Sequence, residues 1–209
     1  MPSIDGDTLS AKHLHELQVS AIRPEQIAAR GYRTITNPRE LPPAFTGKQR
    51  DLSGLLLPIW NTFGEIGTWQ LKPDTPRTIP GTGKPIKYET PAGSNVCLDV
   101  PAAARPYLLD TDADLWITEG AKKVDSAVSH GIPCTIGLLG VSMWQRDGVA
   151  LPDWKDIALK GRRVIIAFDS DVMTKPAVRR QLVSLAQFMA YRQANVAYCI
   201  LPGLEGVQR

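Results

Sequence analysis

Apolar positions change their pattern near residue 110 of this chain. Before that point, short apolar runs are separated by segments rich in proline and glycine. After it, continuous apolar runs alternate with stretches whose apolar positions have helical spacing. Continuous runs are typical of strands buried on both faces, and their alternation with helices predicts a parallel sheet. The second half therefore predicts an α/β unit of order βαβαβαβ.

Two of the predicted helices have end signals in the sequence. Gly131 is suited to ending the first helix, and Pro176 is suited to the first turn of the last. The predicted strands are 115–118, 132–139, 163–168 and 196–201, and the predicted helices are 121–129, 153–159 and 176–193.

The first half predicts a smaller α+β unit. Two short helices are expected in 10–31, with Ser10 as N-cap, Pro24 opening the second helix and Gly31 closing it. This pair is either a structural cap or a helix-turn-helix-like piece. Residues 54–71 predict an antiparallel hairpin, because two β-rich runs flank a short turn that contains glycine. Further strands are predicted at 87–90 and 96–100.

Composition excludes several classes of protein. The three cysteines have no C-x-x-C spacing, which argues against a zinc ribbon or a disulfide framework and predicts buried free thiols. A net charge of +3 permits nucleic-acid binding without arguing for it. The sequence has no apolar run long enough for a membrane span and no N-terminal signal-peptide pattern, so we expect a cytoplasmic protein without a membrane partner.

Acidic residues follow two of the predicted parallel strands. Glu119 comes directly after the first, and Asp169 and Asp171 come directly after the third. Residues i and i+2 of an extended segment point to the same side, so the two aspartates could share one cation. Carboxylates at the carboxyl ends of parallel strands suit Mg²⁺ or Mn²⁺, which keep positions for water and phosphate oxygens.

These residues carry a resemblance to a known family. The segments 117–123 (ITEGAKK) and 167–171 (AFDSD) resemble the Toprim domain of bacterial-type (DnaG-like) primases, topoisomerases and some nucleases. The resemblance is greatest to replication proteins of phages, plasmids and integrative elements, where a Lys-Pro like Lys175-Pro176 follows the aspartates. It covers about 115–202. Looser similarity of 57–67 and 87–91 to the segment before the Toprim domain extends it backwards.

The resemblance implies a fold and a division into domains. We expect a C-terminal Toprim domain at 113–209, a Rossmann-like parallel sheet with flanking helices. A smaller α+β subdomain of primase-like, basic character is expected at 51–112, and a helical segment at 1–50.

The resemblance also implies roles for particular residues. Glu119 would act as general acid/base or organise the metal, while Asp169 and Asp171 would hold Mg²⁺ or Mn²⁺. The expected nucleic-acid contacts are Lys122, Lys123, Lys87, Tyr88 and Lys175. Two alternatives remain: the paired lysines could be a solvated helix face, and Tyr88 could be a half-buried strand residue.

The implied function is the primase part of a mobile-element replication protein. Such a module makes RNA primers on single-stranded DNA from nucleoside triphosphates, and a helicase domain or subunit is a further partner that the resemblance allows. The alternatives are a Toprim endonuclease, which cleaves nucleic acid with the same carboxylates, and a catalytically incomplete domain that binds DNA or a protein partner.

The sequence departs from the family pattern in three places. The zinc module of many primases is absent from it. Many Toprim proteins have an aspartate four residues after the motif glutamate, where this chain has Lys123, and the nearest aspartate is Asp125. A Gly-Asp-Asp-type segment usually follows the fourth strand, and it is missing before Arg209. We therefore expect either a fragment of a longer protein or a shortened relative with an incomplete site.

Overall fold

The computed structural model describes residues 9–201, apart from the side chain of Asp171. The α-helices are α1 (Ala11–Val19), α2 (Pro24–Arg30), α3 (Ala121–Ser129) and α4 (Pro176–Tyr191). The strands are β1 (Arg33–Ile35), β2 (Gly54–Trp60), β3 (Ile66–Pro73), β4 (Leu115–Glu119), β5 (Thr135–Leu138), β6 (Gln145–Arg146), β7 (Val149–Ala150), β8 (Arg163–Asp169) and β9 (Asn195–Leu201). None of the helices within 9–201 combines the length and apolar character needed to cross a bilayer.

The two N-terminal helices form where the sequence predicts them. The Ser10 side chain accepts a hydrogen bond from the backbone N–H of His13 at 3.3 Å, which caps α1. Pro24 stands in the first turn of α2. Gly31 ends α2 with φ +81°, a left-handed conformation that glycine adopts without strain.

An antiparallel sheet of order β1–β2–β3 follows these helices. Its central strand, β2, is buried along most of its length because it packs on both faces. Leu55, Leu57 and Ile59 join a cluster with Leu17 of α1, while Leu56 packs in a second cluster on the other face. The predicted hairpin is confirmed, whereas β1 was not predicted.

The strands predicted at 87–90 and 96–100 are wrong. Each segment forms only one isolated bridge, Leu71 with Glu89 and Asp99 with Gly137. Pro85 and Pro91 lie on either side of the first segment, and proline has no N–H to continue a ladder. The second segment joins the two sheets, because Asp99 N–H bonds Gly137 O at 2.9 Å and Val100 N–H bonds Trp60 O at 2.7 Å.

The parallel sheet confirms the α/β fold class predicted for the second half. Its order is β5–β4–β8–β9, and all three neighbouring pairs are parallel. The helix predicted at 153–159 is wrong: the structure has a 3-10 helix at Pro152–Asp156, and the chain is extended at Ile157. Ala158 N–H bonds Leu108 O at 2.9 Å, so a tertiary hydrogen bond takes the place of the next helical one.

The two long helices of this unit cover opposite faces of the parallel sheet. Ile117, Ile166 and Phe168 pack in one cluster with Leu185 of α4. On the other face, α3 lies against β5, where an added Cβ at Gly137 would meet the Val124 side chain at 2.8 Å. The carboxyl edge of the sheet therefore lies between a face covered by α4 and a face against which α3 packs.

Candidate active site

The carboxyl edge of the parallel sheet brings Glu119 and Asp169 to the ends of adjacent strands. Glu119 ends β4 and Asp169 ends β8, and these strands pair in the register Thr118 opposite Ala167. The chain passes from β4 to β5 on one side and later reaches β8 on the other. Such a topological switch point opens a crevice between strand ends, where α/β proteins bind ligands.

The pleat sends the two carboxylates toward different faces of the sheet. Glu119 continues the alternation of Ile117, whose face packs on α4, and Asp169 continues that of Ala167. Both side chains are half-buried. They therefore flank the crevice from its two sides.

The backbone of Asp171 lies in a turn rather than in an extended segment. Residues Ser170–Met173 form a 3-10 helix directly after β8. The i, i+2 alternation of an extended strand therefore does not hold at Asp171, and the prediction that it places Asp171 beside Asp169 is wrong for this backbone. The Asp171 side chain lies outside the described residues, so its metal role stays a prediction.

Metal-ligating side chains do not form a complete group in the described part. Across 9–201, with the Asp171 side chain left aside, no three His, Cys, Asp or Glu side chains cluster closely enough to share a metal ion. Glu119 and Asp169 supply carboxylate oxygens, the donor type that Mg²⁺ prefers. The donor chemistry therefore fits a magnesium site, and its remaining ligands stay predicted.

Gly120 makes the sharp passage from β4 into α3. Its φ of +89° lies in the left-handed region, and its N–H bonds Leu138 O at 2.9 Å. The helix begins at the next residue, so Lys122 and Lys123 stand in its first turn beside the strand ends. The Glu-Gly part of the motif therefore has a conformational reason as well as a chemical one.

Lys122 and Lys123 are engaged in ion pairs rather than forming a plain solvated face. Lys123 Nζ lies 2.8 Å from Asp169 Oδ2, with side-chain exposures of 36% and 22%. Lys122 Nζ lies 2.6 Å from Glu16 Oε1, which also accepts from Lys72 at 2.7 Å. Burial acts to raise the pKa of Glu16, but the two lysines outweigh it and leave that pKa below its usual range.

The remaining predicted nucleic-acid contacts have different surroundings. Lys87 and Lys175 are exposed, and Lys175 directly precedes α4 at the carboxyl edge of the sheet. Tyr88 is half-buried against the Leu17 cluster. Burial, with a smaller effect of the Glu16 charge, raises the pKa of Tyr88 to about 12. These surroundings agree with the half-buried alternative for Tyr88, and its contact with nucleic acid stays a prediction.

A buried ionic cluster that the sequence did not reveal holds α3 against the N-terminal elements. Arg30 Nη2 lies 2.7 Å from Asp125 Oδ1, and Arg30 Nη1 also bonds Asp99. The Tyr32 hydroxyl donates to Asp125 Oδ2 at 2.6 Å. Burial raises the pKa of Asp99, while the Arg30 charge opposes that shift. Asp125 is thus a structural anchor for α3, bound by Arg30 and Tyr32 of the N-terminal elements.

Comparison with known proteins identifies the fold. Residues 107–207 match the family described as "Domain of unknown function (DUF3854)". No curated protein sequence was found to be similar to the chain. Solved structures resemble it over nearly its whole length. The zinc-binding and RNA polymerase domains of the Aquifex aeolicus primase give a TM-score of 0.62 at 14% identity, covering 95% of this chain and 51% of that one.

The chain has the fold of DnaG-type primase catalytic cores. A DnaG catalytic domain bound to single-stranded DNA gives a TM-score of 0.61 at 16% identity, covering 93% of this chain and 67% of the other. The RNA polymerase domain of Mycobacterium tuberculosis DnaG, in complex with double-stranded DNA, gives 0.60 at 14% identity, covering 95% and 67%. The predicted resemblance to bacterial-type primases is confirmed for the fold. The chain spans about half the length of the Aquifex aeolicus structure.

Proposed function

We propose that this chain is a metal-dependent nucleic-acid module of the primase type. It would join nucleoside triphosphates into RNA primers on single-stranded DNA, using Mg²⁺ or Mn²⁺. The observation that carries the proposal is the position of Glu119 and Asp169 on adjacent strand ends, at the switch point of a sheet with the primase-core fold.

Each residue of the crevice has a part in this chemistry. Asp169 and Asp171 would hold the metal, and Glu119 would accept the proton of the attacking hydroxyl or orient the metal. A bound Mg²⁺ neutralises phosphate charge and orients the attacking and leaving oxygens. Lys122, Lys123 and Lys175 would bind phosphates, because they surround the same strand ends.

The proposed partners follow from the same fold. Single-stranded DNA would lie across the crevice, where Lys87 would contact a phosphate by its charge and Tyr88 would stack on a base. The sequence motifs support a place in a mobile-element replication protein, acting with a helicase domain or subunit. The division into 1–50, 51–112 and 113–209 and the cytoplasmic location also stay proposals, although β1 of the first segment pairs with β2 of the second.

Primer synthesis tests the proposal directly. The wild-type chain, Glu119→Gln and Asp169→Asn would be incubated with single-stranded DNA, labelled nucleoside triphosphates and Mg²⁺ or Mn²⁺. We expect wild-type extension products that each substitution reduces at least about a hundredfold, as when a charge-stabilising catalytic group is lost. Shortening of the supplied strand without incorporation would instead identify an endonuclease.

A binding domain without catalysis is the second candidate. The Lys123–Asp169 ion pair favours it, because a lysine already neutralises one predicted metal ligand. Calorimetry with Mn²⁺ on wild type and on Asp169→Asn with Asp171→Asn separates the two functions. Loss of binding in the double variant supports the metal site, whereas absence of binding in wild type, together with DNA binding, would favour the non-catalytic domain.

A further inference from the structure

A groove of about 530 Å³ runs along α3 on the face of the parallel sheet opposite α4. Its floor comes from successive strands, and its lining is mainly apolar. The floor residues are Trp116 and Thr118 of β4, Ala167 of β8 and Leu201 of β9. The volume is within the range of small-molecule sites, roughly 300–1,000 Å³.

One wall of the groove is the exposed side of α3. Lys122 and Lys123 stand at its carboxyl-edge end, Ala127 lies along its middle, and His130 lies at its other end. None of the described residues that line the groove is acidic. The Lys122 and Lys123 ammonium groups, which also pair with Glu16 and Asp169, stand at one end of this apolar floor. The combination is complementary to a ligand with a flat apolar body and an anionic group that competes with these carboxylates for the lysines.

Thr118 supplies an independent sign of a ligand. The residue is 4% exposed, and its Oγ1 is buried without a hydrogen-bond partner among the residues that the structure describes. Leaving a buried hydroxyl unpaired is unfavourable, so such atoms in proteins usually have a bound partner. Because Thr118 lines the groove, a polar atom of a ligand lying there would complete its hydrogen bond.

We propose that the groove binds the base of a nucleoside triphosphate. The base would lie on the apolar floor near Trp116 and bond Thr118 Oγ1, and the phosphates would extend to Lys122 and Lys123. Lys123 also contacts Asp169, so the groove leads directly to the proposed metal site. The identity of the ligand rests on the proposed function, while the location rests on the groove itself.

Calorimetry with ATP, adenosine and inorganic tripolyphosphate tests the two ends of the site separately. The titrations use chelator and no metal, so binding does not depend on the carboxylates. We expect ATP to bind more tightly than adenosine or tripolyphosphate. Thr118→Val should weaken ATP and adenosine roughly three- to tenfold, the loss expected for one hydrogen bond, and leave tripolyphosphate unchanged.

Two further variants protect the test against misfolding. Thr118→Val removes an unpartnered hydroxyl, so its melting temperature should not fall. Ala127→Phe should fill the groove and weaken ATP at least about tenfold by steric exclusion. Thr111→Val, the same change at an exposed position, should leave binding unchanged. Circular dichroism checks that each variant is folded.

The outcomes separate this proposal from the primase function. If wild type makes primers but neither Thr118→Val nor Ala127→Phe affects nucleotide binding, the proposal that the groove binds the base is overturned and the proposed primase function still holds. Groove-dependent ATP binding without primer synthesis would support the groove and count against the primase. Equal affinity for tripolyphosphate and ATP would also overturn the proposal.

Discussion

Replacing Lys123 should strengthen metal binding at the carboxyl edge of the sheet. Lys123 Nζ is 2.8 Å from Asp169 Oδ2, so it occupies the position from which a cation would approach that oxygen. A Mg²⁺ ion coordinated by Asp169 would lie about 2.1 Å from the carboxylate oxygen. Metal binding must therefore either tolerate the ammonium group nearby or displace it.

The metal would bind by whichever of these two arrangements costs less free energy, and that cost sets the gain in affinity expected from Lys123→Met. A divalent ion about 4.5 Å from the ammonium group would be repelled by roughly 2 kcal/mol even at the dielectric constant of water. Displacing Lys123 costs the ion pair, which is worth at most about 1 kcal/mol at side-chain exposures of 36% and 22%. Displacement is cheaper, so Lys123→Met should raise metal affinity, by up to about fivefold.

Calorimetry with Mn²⁺ on wild type and Lys123→Met measures this change. Lys122→Met is the matched control, because Lys122 pairs with Glu16 instead of Asp169. We expect unchanged affinity for the control and loss of binding for Asp169→Asn. Equal or weaker binding by Lys123→Met would refute the reasoning, since it would mean that the lysine does not compete with the metal.

Three further substitutions test the structural account. Arg30→Met leaves the buried Asp125 carboxylate without its cation and should lower the free energy of unfolding by about 3–5 kcal/mol in urea denaturation; a loss below about 1 kcal/mol would contradict the cluster. Glu16→Gln should be less stable than wild type at pH 7, and the difference should shrink as pH falls below about 4.5 and through the lower folded pKa of Glu16, because a lowered carboxyl pKa gives stability that is lost as the group is protonated; a difference independent of pH would refute this. Gly120→Ala should lower the melting temperature, because a φ of +89° strains a residue with a Cβ by about 1 kcal/mol. The added Cβ would meet nothing within 4 Å, so no steric clash adds to this strain.

Much of the fold follows from local pattern in the sequence. The continuous apolar run of β8 predicted a buried parallel strand, and Ser10, Pro24 and Gly31 predicted helix ends that the structure has. Local backbone geometry determines these features, because side-chain periodicity and cap preferences act within a few residues. The helical pattern predicted at 153–159 was overridden by tertiary contacts, because Ala158 N–H bonds Leu108 O and the structure has only a 3-10 helix at Pro152–Asp156.

Part of the candidate site was also predictable from the sequence. The strand-end positions of Glu119 and Asp169 were evident from the sequence, because a carboxylate directly after an apolar run of a parallel sheet must lie at its carboxyl edge.

Only the tertiary structure decided which groups these residues meet. Lys123 contacts a residue 46 positions away, and Arg30 contacts Asp125 across 95 positions. Such contacts depend on how strands are ordered and how helices cover the sheet, and no local period encodes them. The same holds for the Thr118 hydroxyl, whose burial beside an open groove results from the packing of α3 on one part of the sheet.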